Sequence, residues 1–208
     1  MDLLKAKRTK RKIGEQTKLA TFFTSDIHFS DERIMKLCDR PFSNVKEMDE
    51  YIVDKWNKKV SISDTVWILG DIVSPEHFDK DLLNRLNGKI YLLLGNHDYP
   101  VGELIASETK IEICAENALY SDDSIVMFHY PIMDWNGRNN GTIHLYGHVH
   151  NKNIAGMKEY FADKLAFNVC MDVNDFEPKT LDELIEKEDK KDLIKKTRRA
   201  NEVGTYCN

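Results

Sequence analysis

Short apolar runs, each ending in a polar turn, recur along this chain from Leu19 onward. Leu19–Thr24 leads into Ser25-Asp26-Ile27-His28, Thr65–Leu69 into Gly70-Asp71, and Ile90–Leu94 into Gly95-Asn96-His97-Asp98. Ile125–Phe128 then leads into His129-Tyr130-Pro131, and Ile143–Tyr146 into Gly147-His148-Val149-His150. Runs this short are strands rather than helices, and their near-continuous apolar character fits strands buried on both faces. Leu165–Val173 is a further predicted strand without such a turn.

Helices are predicted between the runs. Asn44 and Glu47 form an N-cap with its partner three residues on, after which Val45, Met48, Ile52 and Trp56 share one face. A second helix is expected to open with Ser74 as N-cap and Pro75 in the first position. It would bury Phe78, Leu82 and Leu86 and stop near Gly88. Thr180 and Glu183 make a capping box for a late helix containing Leu181, Leu184 and Ile185. Its charged continuation, Glu186 to Arg199, is expected to be a solvated face or frayed tail. Without repeats or linkers, residues 19–208 form one α/β domain ending in this charged helix or tail, and residues 1–18 form an extension.

Composition narrows the class. Of 208 residues, 41% are apolar and 31% charged, as in a soluble globular protein. No apolar run approaches the ~20 residues of a membrane span, and the start lacks the apolar core of a secretory signal. A cytoplasmic protein with no membrane association is therefore expected. The net charge of −5 disfavours binding nucleic acid through the whole surface. Residues 1–18 depart from this balance, with seven Lys/Arg against Asp2 and Glu15. That extension is either a solvated arm or an anchor for a polyanion such as RNA or DNA. Cys38, Cys114, Cys170 and Cys207 are widely spaced, and are expected to be reduced thiols that mostly fill the core.

The histidines change the picture most. Polar groups just beyond strand ends on one sheet edge converge in space. Here they deliver imidazoles and oxygen donors without thiolate, a set suited to manganese, iron, zinc or cobalt rather than copper(I) or an iron–sulfur cluster. The set exceeds the three or four ligands one catalytic metal takes, which points to two metals. His148 and His150 strengthen this, because alternate residues of an extended segment face the same way. His77, in a helix first turn, and His144, inside a strand, are expected to be structural.

Asp26-x-His28, Gly70-Asp71, Gly95-Asn96-His97-Asp98, His129 and Gly147-His148-x-His150 together resemble the five ordered motifs of the calcineurin-like metallophosphoesterase superfamily. Arg40-Pro41-Phe42, Glu47-Met48-Asp49 and Trp56-Asn57 are similar to a small bacterial and phage subgroup of predicted phosphohydrolases. The resemblance implies a four-layer αββα sandwich of two mixed β-sheets flanked by helices. It implies Asp26, His28, Asp71 and His150 around one metal, with Asp71 bridging to a second completed by Asn96, His129 and His148. It also implies that His97 faces substrate, with Asp98 orienting it. Two departures bear on the substrate rim: Ser74 stands where an acidic or polar residue is usual, and Ser30-Asp31 where relatives carry Gly-His.

The implied activity is dimetal-dependent hydrolysis of a phosphoester, with a metal-bridging hydroxide attacking phosphorus and His97 protonating the leaving alkoxide. Manganese is the foremost metal, with iron, zinc, cobalt or nickel as alternatives. Arg33, Arg40 and Arg138 are candidates for gripping a phosphate oxygen or nucleotide. Trp135, in a loop expected to be mobile, is a candidate for stacking on a base. A phosphodiester or nucleotide-like substrate is favoured. The alternatives are a phosphomonoesterase, including a phosphoprotein phosphatase, a polynucleotide nuclease aided by the basic arm, and a non-catalytic scaffold. The oligomeric state is open.

Overall fold

The computed structural model describes residues 19–115, 119–122 and 124–195. The basic extension over residues 1–18, the end of the charged tail from residue 196, and Cys207 lie outside the described residues.

Two sheets carry the architecture. The first contains β1 (Thr21–Thr24), β2 (Thr65–Ile68), β3 (Lys89–Leu93) and β4 (Glu112–Ala115), all parallel, with the antiparallel β9 (Lys179–Thr180) on the far side of β1. The second contains β5 (Leu119–Asp122) antiparallel to β6 (Ile125–Phe128), followed by β7 (Ile143–Tyr146) and β8 (Ala166–Asn168) in parallel. Both sheets are mixed, as the family resemblance implies.

The side-chain period of two explains the layering. In β1, Phe22 joins one apolar cluster and Phe23 another; Val66 and Ile68 of β2 side with Phe22. The first cluster lies between this sheet and α1 (Glu32–Leu37), α2 (Val45–Lys59), α3 (Lys80–Leu83) and α4 (Gly102–Glu108), which contribute Met35, Met48, Ile52, Trp56, Leu82 and Ile105. The second lies between the sheets, where Phe23, Leu69 and Leu93 meet Met127, Leu145 and Phe167. Val126, Tyr146 and Ala166 point away from it, toward Trp135 and Phe161 of α5 (Met157–Phe161). Helix, sheet, sheet and helix follow one another, which is the αββα sandwich.

Local signals hold where a side chain can satisfy a helix end. The Asn44 side chain accepts from Glu47 N at 3.0 Å, a cap worth about 1 kcal/mol, and α2 buries Met48, Ile52 and Trp56. The capping box of Thr180 and Glu183 opens α6 (Leu181–Lys187). The expected helix from Ser74 is corrected. Ser74 makes no capping bond, Pro75–His77 is a single 3-10 turn, and Phe78 is extended. Asp79 then caps α3 itself, accepting from Asp81 N and Leu82 N. A strong cap in the middle of a would-be helix competes with its continuation. Leu165–Val173 is strand only over β8, because Met171–Val173 turns as 3-10. In the tail after α6, Glu186–Asp189, Lys191, Asp192 and Lys195 are exposed as expected, and the departure is Lys190, which is buried after Asp189 at φ 53, its Nζ donating to Phe161 O and Ala166 O.

His144 is structural, as expected. It is fully buried, with Nδ1 3.3 Å from Val126 O and Nε2 accepting from Ile132 N at 3.2 Å, so the neutral ring is satisfied at both ends. Burial pushes its pKa down to about 4. The unfolded ring takes a proton below ~6.5 and the folded ring resists until about 4, so this stabilisation is complete above the first value and lost toward the second. Between pH 7 and 4.5 the wild type is expected to lose roughly 2–3 kcal/mol that His144→Gln does not lose. Thermal melts of both proteins across that range check it; equal pH slopes would exclude it.

Candidate metal centre

The polar turns meet because the carboxyl ends of the parallel strands of both sheets abut. Ser25, just after β1, bridges to Cys170, just after β8; Ser25 N donates to Val169 O at 3.1 Å. Asp26 N donates to Gly70 O at 2.9 Å, and Gly147 N to His129 O at 2.8 Å. Asp26, His28, Asp71, His148 and His150 all adopt left-handed backbone, with φ between 51 and 70. Such conformations cost non-glycine residues on the order of 1 kcal/mol or more each, and they cluster at functional sites. The motif glycines admit close approach: a Cβ on Gly95 would lie 2.3 Å from Asp71 Oδ1, and one on Gly147 2.5 Å from Asp26 Oδ2.

The donors assemble into two main groups. Asp26, His28 and His150 form one, and Asp71, His129 and His148 the other; in each, the donor atoms lie within 4.8 Å of one another. Asp71 also groups with His28 and His97, placing it between the two. His129 Nδ1 lies 2.8 Å from Leu69 O, so that nitrogen donates. Its Nε2 then turns a lone pair toward Asn96 Oδ1 at 3.0 Å and Asp71 Oδ2 at 3.4 Å. His150 repeats the pattern, with Nδ1 donating to Asp172 Oδ2 at 2.7 Å and Nε2 3.6 Å from Asp26 Oδ1. Both nitrogens of His28 are buried without a hydrogen-bond partner, and Nε2 lies 3.6 Å from Asp71 Oδ2. Lone pairs facing carboxylate oxygens need a cation between them. The donor set fits divalent cations.

Protons stand in for that charge in the free protein. Burial opposes protonation of His129, but the hydrogen bond to Asp71 and the nearby carboxylates outweigh it and raise its pKa to about 9. Burial likewise opposes protonation of His150, which Asp172 nevertheless lifts to about 10. Asp71 is held at about 2, its burial outweighed chiefly by His129. His28, where burial dominates, falls to about 4. Cation uptake must therefore displace protons.

Other expected residues are placed differently. His97 is half-buried beside the donor set, its ring edge-on to His28 at 4.9 Å and its backbone N–H donating to Asp71 Oδ1 at 2.8 Å. Asp98 does not orient the His97 ring. It is fully buried and accepts from the backbone N–H groups of Asp71, Ile72, Val73 and Gly95 at 2.6–3.2 Å. Burial and the Asp71 charge push its carboxyl up to about 7, against the pull of those amides. Arg40 is not at the rim: it is buried on Asp172 and the carbonyls of Asp26 and Ile27. Trp135 is buried too, with Nε1 donating to Thr142 O at 2.9 Å, and offers no free face to a base. Arg138 is held by Asp134, Met133 O and the Tyr160 hydroxyl. The loop expected to be mobile is thus pinned by both residues.

Three neighbours of the donor set had no role in the sequence reading. Asp172 backs His150, Cys170 Sγ lies 2.9 Å from Asp26 Oδ2, and Tyr130 packs its ring 4.4 Å from that of His148. The Tyr130 hydroxyl also donates to Asn96 Oδ1 at 3.3 Å. Tyr130 was visible as the residue after His129; Asp172 and Cys170 lie in an apolar segment without a marked turn. Cys38, His150 and Asp172 also lie close enough to form a donor group, but the imidazole and carboxylate there are already bonded to each other.

The family model described as calcineurin-like phosphoesterase matches residues 20–194. An uncharacterized protein of Methanocaldococcus jannaschii is 32% identical over 172 residues, covering 80% of this chain and 91% of that protein. The gene 66 protein of Mycobacterium phage L5 is 28% identical over 166 residues, covering 64% of this chain and 79% of its own. Among solved structures, a protein of unknown function from Aquifex aeolicus shares the fold with a TM-score of 0.63 at 23% identity, covering 81% of this chain and 99% of its own. Among the described residues, no helix is long and apolar enough to cross a membrane.

Proposed function

The chain belongs to the calcineurin-like phosphoesterase family, and from that premise we propose that it hydrolyses a phosphodiester with the help of two divalent cations, manganese foremost. The observation that carries the two-cation reading is the pairing of donor groups about Asp71, each turning imidazole lone pairs toward carboxylate oxygens. Asp26, His28 and His150 would hold one cation, His129, His148 and Asn96 the other, with Asp71 shared. Bound there, divalent cations would supply positive charge for the phosphoryl oxygens and acidity for a water nucleophile. They would also reverse the local sign, since Asp26 and Asp71 bring only two negative charges.

The chain's own groups do the rest. Asp98 holds the amides of the Asp71 turn, and Gly95 lets the Asp71 carboxylate lie against the backbone. His97, tethered through its own N–H to Asp71, keeps a partly exposed imidazole at the mouth, from which it hands a proton to the leaving alkoxide. The arginines support a diester over a monoester. A monoester dianion gains from a free guanidinium, yet Arg40 is spent on Asp172, Arg138 on Asp134, and Arg33 on Asp31 and Glu76. A diester brings a single negative charge and needs no such clamp.

Turnover of a bis-aryl phosphodiester and an aryl phosphomonoester by manganese-loaded protein tests this. The diester is expected to give the higher kcat/KM, and activity to vanish on chelation. A higher value for the monoester would overturn the diester preference, and turnover of neither ester would overturn the hydrolase reading.

A further inference from the structure

We infer that Arg40 and Asp172 form a positioning relay that sets cation affinity at the Asp26–His28–His150 position and leaves the Asp71–His129–His148 position unaffected. The inference rests on the two-cation reading above. Arg40 is buried along its whole side chain, and one edge of its guanidinium forks onto Asp172, Nε to Oδ1 at 2.8 Å and Nη2 to Oδ2 at 3.0 Å. The remaining donors reach the turn after β1: Nη2 to Asp26 O at 2.7 Å and Nη1 to Ile27 O at 2.7 Å. Asp172 Oδ2 accepts from His150 Nδ1 at 2.7 Å. An ionised carboxylate can only accept, so Nδ1 keeps its proton toward Asp172, and Nε2, facing Asp26, is the nitrogen left to give a lone pair to a cation. One guanidinium thus fixes the turn carrying Asp26 and His28 and, through Asp172, the tautomer and tilt of His150. These residues are separated by 132 positions in sequence, so no local structure supplies the restraint.

The second position has separate support. His129 is set by Leu69 O, and the Asp71 turn by Asp98. Hydrogen bonds between the two positions run from Asp26 N to Gly70 O at 2.9 Å, from His28 N to Asp71 O at 3.0 Å and from His148 N to the Asp26 carboxylate at 2.9 and 3.0 Å, and together they form a link in which Asp172 takes no part. Changing Asp172 leaves that link in place. A general structural prop would weaken both positions together; this relay is wired to one.

Calorimetric titration of the chelated full-length protein with manganese separates the two. The wild type is expected to show two binding steps. In Asp172→Asn one step should weaken by about 10–100-fold while the other stays within about threefold. Arg40→Lys, which keeps the charge and loses the fork, should weaken the same step by less. Equal weakening of both steps, or of neither, overturns the relay while the two-cation reading stands. Fewer than two steps in the wild type overturns that reading and the relay with it. If Asp172→Asn does not fold, Arg40→Lys carries the same titration.

Discussion

Asp71→Asn is expected to lower phosphoester turnover on the order of 1000-fold and to reduce bound metal from two equivalents toward one. Among the described residues, Asp71 is the one carboxylate with a place in both donor surroundings: Oδ2 lies 3.6 Å from His28 Nε2 and 3.4 Å from His129 Nε2, while Oδ1 is pinned by the His97 N–H at 2.8 Å. Asparagine keeps the volume and one oxygen, so the turn can persist, but it removes the negative charge that two cations would share. The loss corresponds to roughly 4 kcal/mol of transition-state stabilisation. Elemental analysis after dialysis against trace manganese, together with aryl phosphodiester turnover, checks both halves. Retention of both equivalents and of full turnover would remove Asp71 from its shared position.

The parts of this molecule that can be read from the chain are those in which neighbours in sequence act together. The short apolar runs anticipate β1, β2, β3, β6 and β7 as buried strands, and the turn motifs after the parallel strands converge as strand direction requires. The N-cap of Asn44 and the box at Thr180 are similarly local. Sequence reasoning misses elements whose stability comes from elsewhere. The six-residue α1 and the two-residue β9 are too short for a pattern, and β9 exists because Phe22 and Phe23 of β1 offer it an edge. Arg40 and Trp135 mislead for a related reason. Charge and aromatic area next to motif residues suggest contact with a ligand, yet burial directs Arg40 to Asp172 and Trp135 to the Thr142 carbonyl. Adjacency also misplaces Asp98. It follows His97 in sequence, but its carboxylate points into the turn rather than at the ring.

That placement of Asp98 carries the second large effect. Asp98→Ala is expected to destabilise the fold by roughly 3–5 kcal/mol, because it orphans buried N–H groups on Asp71, Ile72, Val73 and Gly95. At this chain length that is a fall of about 10 °C or more in Tm. Asp98→Asn should fall between the wild type and alanine, since its amide nitrogen must face two of those donors instead of accepting from them. Both variants should also lose metal, because the amides they release hold the turn that aims the Asp71 carboxylate. This separates the two roles. A residue that merely orients His97 would, when changed, slow leaving-group protonation and leave Tm and metal content at wild-type values. A backbone clamp moves Tm and metal content first, and turnover as their consequence. Thermal melts, metal analysis and turnover of Asp98→Asn beside His97→Ala therefore decide between them. His97→Ala is expected to keep both cations and most of its stability while losing turnover. If Asp98→Asn behaves in the same way, the clamp is wrong and Asp98 pairs with the His97 ring, as the family resemblance implies.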